Sequence, residues 1–354
     1  MRPVCFIDRN IPLLAEALAK TGDIRLFDGR ALVCADLLDS HCTALFVRSV
    51  TRVNEELLAG TGVRFVATAT AGADHIDEDY LENSGVAFAS APGSNSNSVA
   101  EYVIFSLLRW ADFRGISLAG RRLGVVGFGN IGQKTALYAS EVLGMEVWLN
   151  DPPLREAGFV FPAEFRCAEL DDVCRNCDAI TNHTPLHGGE FSTENLFDGR
   201  RIGLLPDGGL FIHASRGGIA DENALVRRLA AGEIAAVCDV FRNEPAAQED
   251  LVRLALIATP HIAGYSFDAK ALGARMVGEA FCRFMNFPPP HFPEITPETG
   301  AYFPENLLAT LAARRRLDED SAAFKATMLL PAAERPAAFD SLRRNYPLRR
   351  ETLG

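Results

Sequence analysis

The sequence predicts an α/β protein made of two doubly wound parallel sheets and a smaller, mostly helical C-terminal segment. Three observations carry this. Short β-type runs alternate with helical patterns along the chain, as expected for parallel strands joined by crossover helices. The length of 354 residues exceeds one ordinary core and fits two or three domains. A glycine-rich turn in "LGVVGFGNIG" opens a second alternating series partway along.

The elements read in order. "PVCFID" is a strand, "IPLLAEALAKTG" a helix and "DIRLFD" a strand; "TALFVRS", "VNEELLAG" and "VRFVATATAG" continue the series. This first unit covers residues 1–95. "VAEYVIFSLLRWADF" is apolar on nearly all sides and long enough for a buried helix. The second unit, residues 96–262, continues from "RRLGVVGFGNIG" through "MEVWLND", "DAITNHT", "GGLFIHASRG", "AAVCDVF" and "LALIATPHIAG". The helical "SFDAKALGARMVGEAFCRFM" is expected to pack back on the first unit, so residues 263–287 join 1–95. "NFPPPHFP" reads as a proline-rich linker. Residues 291–354 form the third segment, with "LLATLAARRRLDED" and "PAAFDSLRRNY" as amphipathic helices.

Bulk properties exclude some functions. A net charge of −11 argues against a nucleic-acid partner, which needs a basic face. No apolar run approaches the roughly 18 residues of a membrane span. "MRPVCFIDRN" reads as a strand rather than a signal peptide. Eight scattered cysteines suggest reduced thiols and a cytoplasmic setting. Cys174 and Cys177 form a C-x-x-C, but its helical spacing reads as a half-buried helix face; no metal site is expected.

Gly127, Gly129 and Gly132 have G-x-G-x-x-G spacing between an apolar strand and a helical pattern. The first glycine makes the tight turn, the second admits a pyrophosphate, and the third lets helix and strand pack closely. The helix N-terminus offers free N–H groups to the phosphates. Nineteen residues after Gly132, Asp151 ends the next strand, placed to accept from ribose hydroxyls. A carboxylate there would repel a 2′-phosphate, so the expected cofactor is NAD rather than NADP.

Three strand ends carry polar groups that a core would not choose: Arg216 in "ASRGG", Asp239 and Glu244 in "DVFRNEP", and His261 in "TPHIAG". Carboxyl ends of strands form the ligand crevice of such sheets. An imidazole, with an ordinary pKa of about 6.5, suits removal of a hydroxyl proton as hydride leaves. A neighbouring carboxylate fixes its tautomer and stabilises the imidazolium. An arginine fork suits a substrate carboxylate.

With the glycine loop upstream, "ASRGGIADENAL", "DVFRNEP" and "TPHIAG" resemble the D-isomer-specific 2-hydroxyacid dehydrogenase family. "FVRSVTRVNEELLAG", "FVATATAGADHID", "APGSNSNSVAEYV" and "TPHIAGYSFDAKALG" resemble a branch of it that acts on a phosphorylated hydroxy acid. The likeness spans residues 4 to 285 and returns in "FDSLRRNYPLRRE". It implies a Rossmann NAD-binding domain, a flavodoxin-like substrate domain, and a homodimer formed through a C-terminal segment that is shortened here.

Residue by residue, the resemblance makes Arg216 and Glu244 the catalytic arginine and glutamate, and His261 the proton donor and acceptor. Gly127, Gly129, Asn130, Ile131, Gly132 and Asp151 match the dinucleotide loop and its ribose partner. Thr184, Ala214, Ser215, Asp239 and Gly264 match further cofactor contacts; Ser49, Thr70 and Tyr265 match substrate contacts. Arg48 is added as a candidate cation for phosphate or carboxylate, and the backbone amides of Ala71 and Gly72 as an anion cradle. His213 stands where the family more often has asparagine, and Phe241 where relatives often have tryptophan. His75 is the more plausible substrate-side histidine and His183 lies in a cofactor-side turn, while His41, His187 and His291 read as surface residues.

The core triad handles only the hydroxy-acid end, so a 3-phosphoglycerate, glycerate or lactate type of substrate is the first alternative. The second is an NADH-sensing binding protein that uses "ARRR" and "LRRNYPLRR" as a partner surface.

Overall fold

The computed structural model describes residues 2–295 and 306–353. The chain divides into two units, Met1–Asn95 with Ser266–Pro297, and Ser96–Tyr265 with Glu298–Gly354.

The first unit holds five parallel strands: β1 (Val4–Asp8), β2 (Asp23–Phe27), β3 (Ala44–Val47), β4 (Phe65–Thr68) and β5 (Ala87–Ala89). Their order is β2-β1-β3-β4-β5, the flavodoxin-like arrangement. Every residue of β3 and β4 is buried, which explains their continuous apolar runs. The helix Phe267–Phe284 covers one face, with Phe281 edge-on to Phe46 at 5.4 Å between ring centroids. Phe292, in the proline-rich stretch, is buried in the same core.

The second unit holds seven parallel strands: β6 (Arg122–Val126), β7 (Glu146–Asn150), β8 (Arg166–Cys167), β9 (Ala179–Asn182), β10 (Leu210–His213), β11 (Ala235–Cys238) and β12 (Ile257–Ala258). The order is β12-β11-β10-β9-β6-β7-β8. In register, Val126 pairs with Asn150 and Asn182, His213 with Asn182 and Cys238, and Cys238 with Ala258. The carboxyl ends therefore lie level along one edge. The helix Ser96–Arg114 is buried on nearly every side, including Tyr102 and Trp110.

Helices Leu307–Arg315, Leu317–Thr327 and Arg335–Arg344 belong to this unit. Residues 296–305 of the expected C-terminal segment lie outside the described residues. Phe324 packs at 5.6 Å from Phe241 and 5.5 Å from Phe339. The arginine clusters considered from the sequence are divided: Arg316 and Arg344 are exposed, while three others turn inward. Arg315 is 0% exposed, Arg343 is half-buried, and Arg349 pairs with Asp320. Charge runs are usually solvated, but here carboxylates and carbonyls of the same unit draw these three inward.

Among the described residues, no helix is long and apolar enough to cross a membrane, and no cluster of metal-ligating side chains occurs. Cys174 and Cys177 are buried, and burial pushes each thiol up to about 12, so neither is a reactive thiolate.

Candidate active site

β6 ends at Val126 and the chain turns at once. Gly127 takes φ +86, and a Cβ there would meet the His183 carbonyl carbon and the Thr184 nitrogen at 3.0 Å. Gly129 caps the helix Asn130–Glu141 and has open space where its side chain would project. A Cβ on Gly132 would stand 2.0 Å from the Gly127 carbonyl oxygen, so helix and turn touch without a side chain between them. Asn130 is exposed and Ile131 half-buried on the first helical turn.

A cavity of about 770 Å³ opens beside this turn. Gly127, Gly129, Asp151, His183, Thr184 and Arg201 are among the residues that line it. Asp151 accepts from the Phe128 N–H at 2.7 Å and the Leu154 N–H at 3.0 Å, which fixes its carboxylate at the cavity wall. Burial pushes the His183 imidazole down to about 3, so it stays neutral. These residues fit a dinucleotide: a glycine turn, a helix N-terminus open to anions, a roomy cavity and a held carboxylate.

Asn182, at the end of β9, joins two of the expected cofactor residues. Its Nδ2 donates to Ser215 Oγ at 2.6 Å, and its Oδ1 accepts from Thr184 Oγ1 at 2.9 Å. Sequence reasoning passed over Asn182, although a polar residue closing an apolar strand was a usable signal. Ala214 and Ser215 are buried beside it.

Arg216 follows β10 by three residues, Asp239 follows β11 by one, and His261 follows β12 by three, all along one sheet edge. The Arg216 guanidinium donates to the Ser215 carbonyl at 2.8 Å. His261 Nδ1 lies 2.8 Å from Glu244 Oε2, and Glu244 Oε1 accepts from the Phe241 N–H at 3.0 Å. Burial alone would raise the Glu244 carboxyl. The His261 ring, the Phe241 N–H and the nearby Arg343 outweigh it and hold the group below its ordinary value.

Asp239 is 1% exposed and spends its carboxylate on the turn that carries His261. Oδ1 accepts from Thr259 Oγ1 at 2.6 Å and the Ile262 N–H at 2.8 Å, and Oδ2 from the Ala263 N–H at 2.9 Å. Burial still raises its carboxyl, the hydrogen bonds opposing it. His261 itself has φ +55, a left-handed conformation that such a bonded turn sustains. Gly264 and Tyr265 are half-buried at the end of this loop. His213 is fully buried below the edge, and burial pushes it down to about 4.

In the first unit, Arg48 follows β3 and pairs with the fully buried Asp8, Nε to Oδ2 at 3.2 Å. Ser49 beside it is exposed. Thr70 donates to the Gly72 carbonyl at 2.9 Å and meets Thr68 Oγ1 at 2.7 Å, which in turn meets His75 Nε2 at 2.9 Å. With the Thr70 proton committed to Gly72, the chain runs one way: His75 Nε2–H to Thr68, Thr68 to Thr70. Thr70 thus orders the turn at Ala71 and Gly72. His41 and His291 are exposed, and His187 is an exposed residue at the cavity rim.

Comparison with known proteins places this geometry in a family. Residues 103–263 match the family described as "D-isomer specific 2-hydroxyacid dehydrogenase, NAD binding domain". The chain is 43% identical to erythronate-4-phosphate dehydrogenase of Stutzerimonas stutzeri (strain A1501), covering 98% of this chain and 92% of that one. It is 40% identical to the protein of the same name from Cronobacter sakazakii, covering 98% and 91%. Among solved structures, D-lactate dehydrogenase from Aquifex aeolicus, complexed with NAD and lactic acid, has a TM-score of 0.64 at 24% identity, over 80% of this chain and 95% of that one. NAD-dependent formate dehydrogenase from Staphylococcus aureus, in complex with NAD, has a TM-score of 0.66 at 20% identity, over 81% and 96%. Similarity of this extent to the curated relatives means that the chain belongs to the erythronate-4-phosphate dehydrogenase family, within the D-isomer specific 2-hydroxyacid dehydrogenases.

Proposed function

We propose that this protein oxidises 4-phospho-D-erythronate to 2-oxo-3-hydroxy-4-phosphobutanoate with NAD, a step of pyridoxal phosphate biosynthesis. The observation that carries the reading is the 2.8 Å pairing of His261 with Glu244 at the carboxyl edge of the NAD-binding sheet. Bound NAD supplies the hydride acceptor. Glu244, held ionised, accepts from Nδ1–H and leaves the Nε2 lone pair of His261 to take the hydroxyl proton. The C2–O double bond forms as that proton goes to His261 and the C2 hydride leaves. Arg216 holds the substrate carboxylate and polarises the reacting oxygen.

The first unit serves as the substrate domain in this reading. Arg48, Ser49 and the Thr70–Gly72 turn take the phosphate end, and Tyr265 adds a substrate contact. A phosphorylated hydroxy acid, rather than nucleic acid or membrane, is the partner. Eight unpaired cysteines, six of them buried, support a cytoplasmic setting. Leu329, Leu330 and Leu348, exposed on the C-terminal segment, support a homodimer through it, which sedimentation velocity tests.

The deciding experiment measures NADH formation with 4-phosphoerythronate, its dephosphorylated form, 3-phosphoglycerate, glycerate and lactate. Preference for 4-phosphoerythronate is expected, and equal turnover of erythronate would sink the assignment. His261→Ala is expected to abolish turnover while NADH binding persists; loss of both would make the histidine structural.

A further inference from the structure

We propose that Arg343, carried by the helix Arg335–Arg344, is a positioning residue for the His261–Glu244 pair. The proposal rests on the dehydrogenase reading above and adds to it a residue from the C-terminal segment.

The strand β12 is only two residues long, so it anchors the loop after it weakly. The C-terminal segment holds that loop instead. Ser321 Oγ accepts from the Ala258 N–H at 3.0 Å. Arg315 Nη2 donates to the Ala263 carbonyl at 3.1 Å, and Ser98 Oγ donates to the same oxygen at 2.8 Å. At the far end, the Tyr346 ring meets Tyr265 edge-on at 5.8 Å. Arg343 Nη2 donates to the Tyr265 hydroxyl at 3.3 Å, its guanidinium 5.9 Å from the Tyr265 ring and 5.8 Å from that of Phe339. Asp239 fixes the near half of the loop, through Thr259, Ile262 and Ala263; Arg343 and Tyr346 fix the far half, through Tyr265. His261 sits between the two.

Arg343 acts on the pair in a second way, as a fixed charge. Besides His261, Glu244 faces Arg343 from the C-terminal helix, His213 from β10 and Glu222 from the helix Glu222–Ala230, while His261 faces Asp239 from the end of β11. Arg242 lies beside His213 and Glu222. His213 is neutral at ordinary pH, so Arg343 supplies positive charge that His213 cannot. Such a charge favours the Glu244 carboxylate, the form that accepts from His261 Nδ1–H, down to lower pH.

The test compares Arg343→Gln, Arg343→Lys and Tyr265→Phe with the wild-type protein. Oxidation of 4-phosphoerythronate is followed between about pH 6 and 9, with NADH fluorescence titration as the check on folding. Absence of wild-type turnover removes the parent reading and this proposal together; everything else separates them. With wild-type turnover present, R343Q is expected to bind NADH normally and lose kcat by roughly tenfold. Its acidic limb of kcat/KM should move up by roughly half a pH unit. R343K, which keeps the charge but not the fork, should return the limb toward its wild-type position with kcat still reduced. Wild-type kcat and limb in R343Q would overturn the proposal, as would a limb displaced equally in R343K. If R343Q no longer binds NADH, R343K and Y265F decide: a several-fold kcat loss in each with NADH binding intact is expected, and wild-type kcat in both overturns it.

Discussion

Asp239 and His261 are joined through the backbone, not through their side chains. The His261 N–H donates to the Asp239 carbonyl at 2.8 Å, while the Asp239 carboxylate takes the N–H groups of the next two residues, Ile262 and Ala263. One buried carboxylate therefore shapes the turn that lets an imidazole rest at φ +55. Asp239→Asn tests this. An amide nitrogen cannot accept from a backbone N–H, so one donor of the turn loses its partner. A loss of about 1–3 kcal/mol by chemical denaturation is expected, together with a fall in kcat. Unchanged stability would assign the carboxylate to something other than the turn.

The Glu244–His261 pair predicts a large and selective defect. Glu244→Gln keeps the shape but offers a weaker acceptor to Nδ1–H, and kcat is expected to fall by about 10²-fold or more with NADH affinity unchanged. Since the carboxyl is held low in the folded state, its contribution to stability is present above its ordinary value of about 4.3 and is lost as pH falls through the lower folded value. The difference in Tm between wild type and E244Q should accordingly shrink below about pH 4.

Two glycines of the turn separate folding from binding. Gly132→Ala drives a Cβ to 2.0 Å from a backbone oxygen and should cost about 1–3 kcal/mol of stability, or prevent folding. Gly129→Ala meets nothing within 4 Å and has an ordinary φ of −78, so stability should change by less than about 1 kcal/mol. Its methyl group instead projects where a pyrophosphate approaches. NADH affinity by fluorescence titration should fall by roughly tenfold or more, and wild-type affinity in G129A would place the phosphates elsewhere.

Glu101 predicts a neutral-range pH dependence of stability. It is fully buried in the helix Ser96–Arg114, 3.9 Å from the equally buried Arg315, and accepts the N–H groups of Thr352 and Leu353. Burial pushes its carboxyl up to about 7 even against Arg315 and these N–H groups. A carboxyl raised on folding binds its proton more tightly in the native state, so its contribution to stability falls as pH rises from about 4.5 towards 7. The Tm advantage of wild type over Glu101→Gln should be greatest near pH 5 and smallest near pH 8; a constant difference would mean that the group titrates outside this range.

Much of the fold was legible because its signals are local. Continuous apolar runs such as "ALFV" and "AITN" mark strands buried on both faces, and the glycine spacing after β6 marks a turn that only missing side chains permit. The strand-end residues Arg216, Asp239 and His261 could be read for the same reason: a polar group closing an apolar run is visible without coordinates. Asn182 carried that signal too and was overlooked. Arg315 and Arg343 could not be read this way, because a basic cluster on an amphipathic helix looks the same whether it faces water or a buried carbonyl.

By itself, the sequence determined the alternation of elements, the parallel sheets, the dinucleotide turn and the family, since each depends on which residues stand next to one another. Only the tertiary structure decided that the Asp239 carboxylate holds a turn, that Glu244 reaches His261, and that arginines from the C-terminal helices face the loop carrying that histidine. Those facts depend on contacts between residues as far apart as Arg343 and Tyr265, and partners at such separations are chosen by packing.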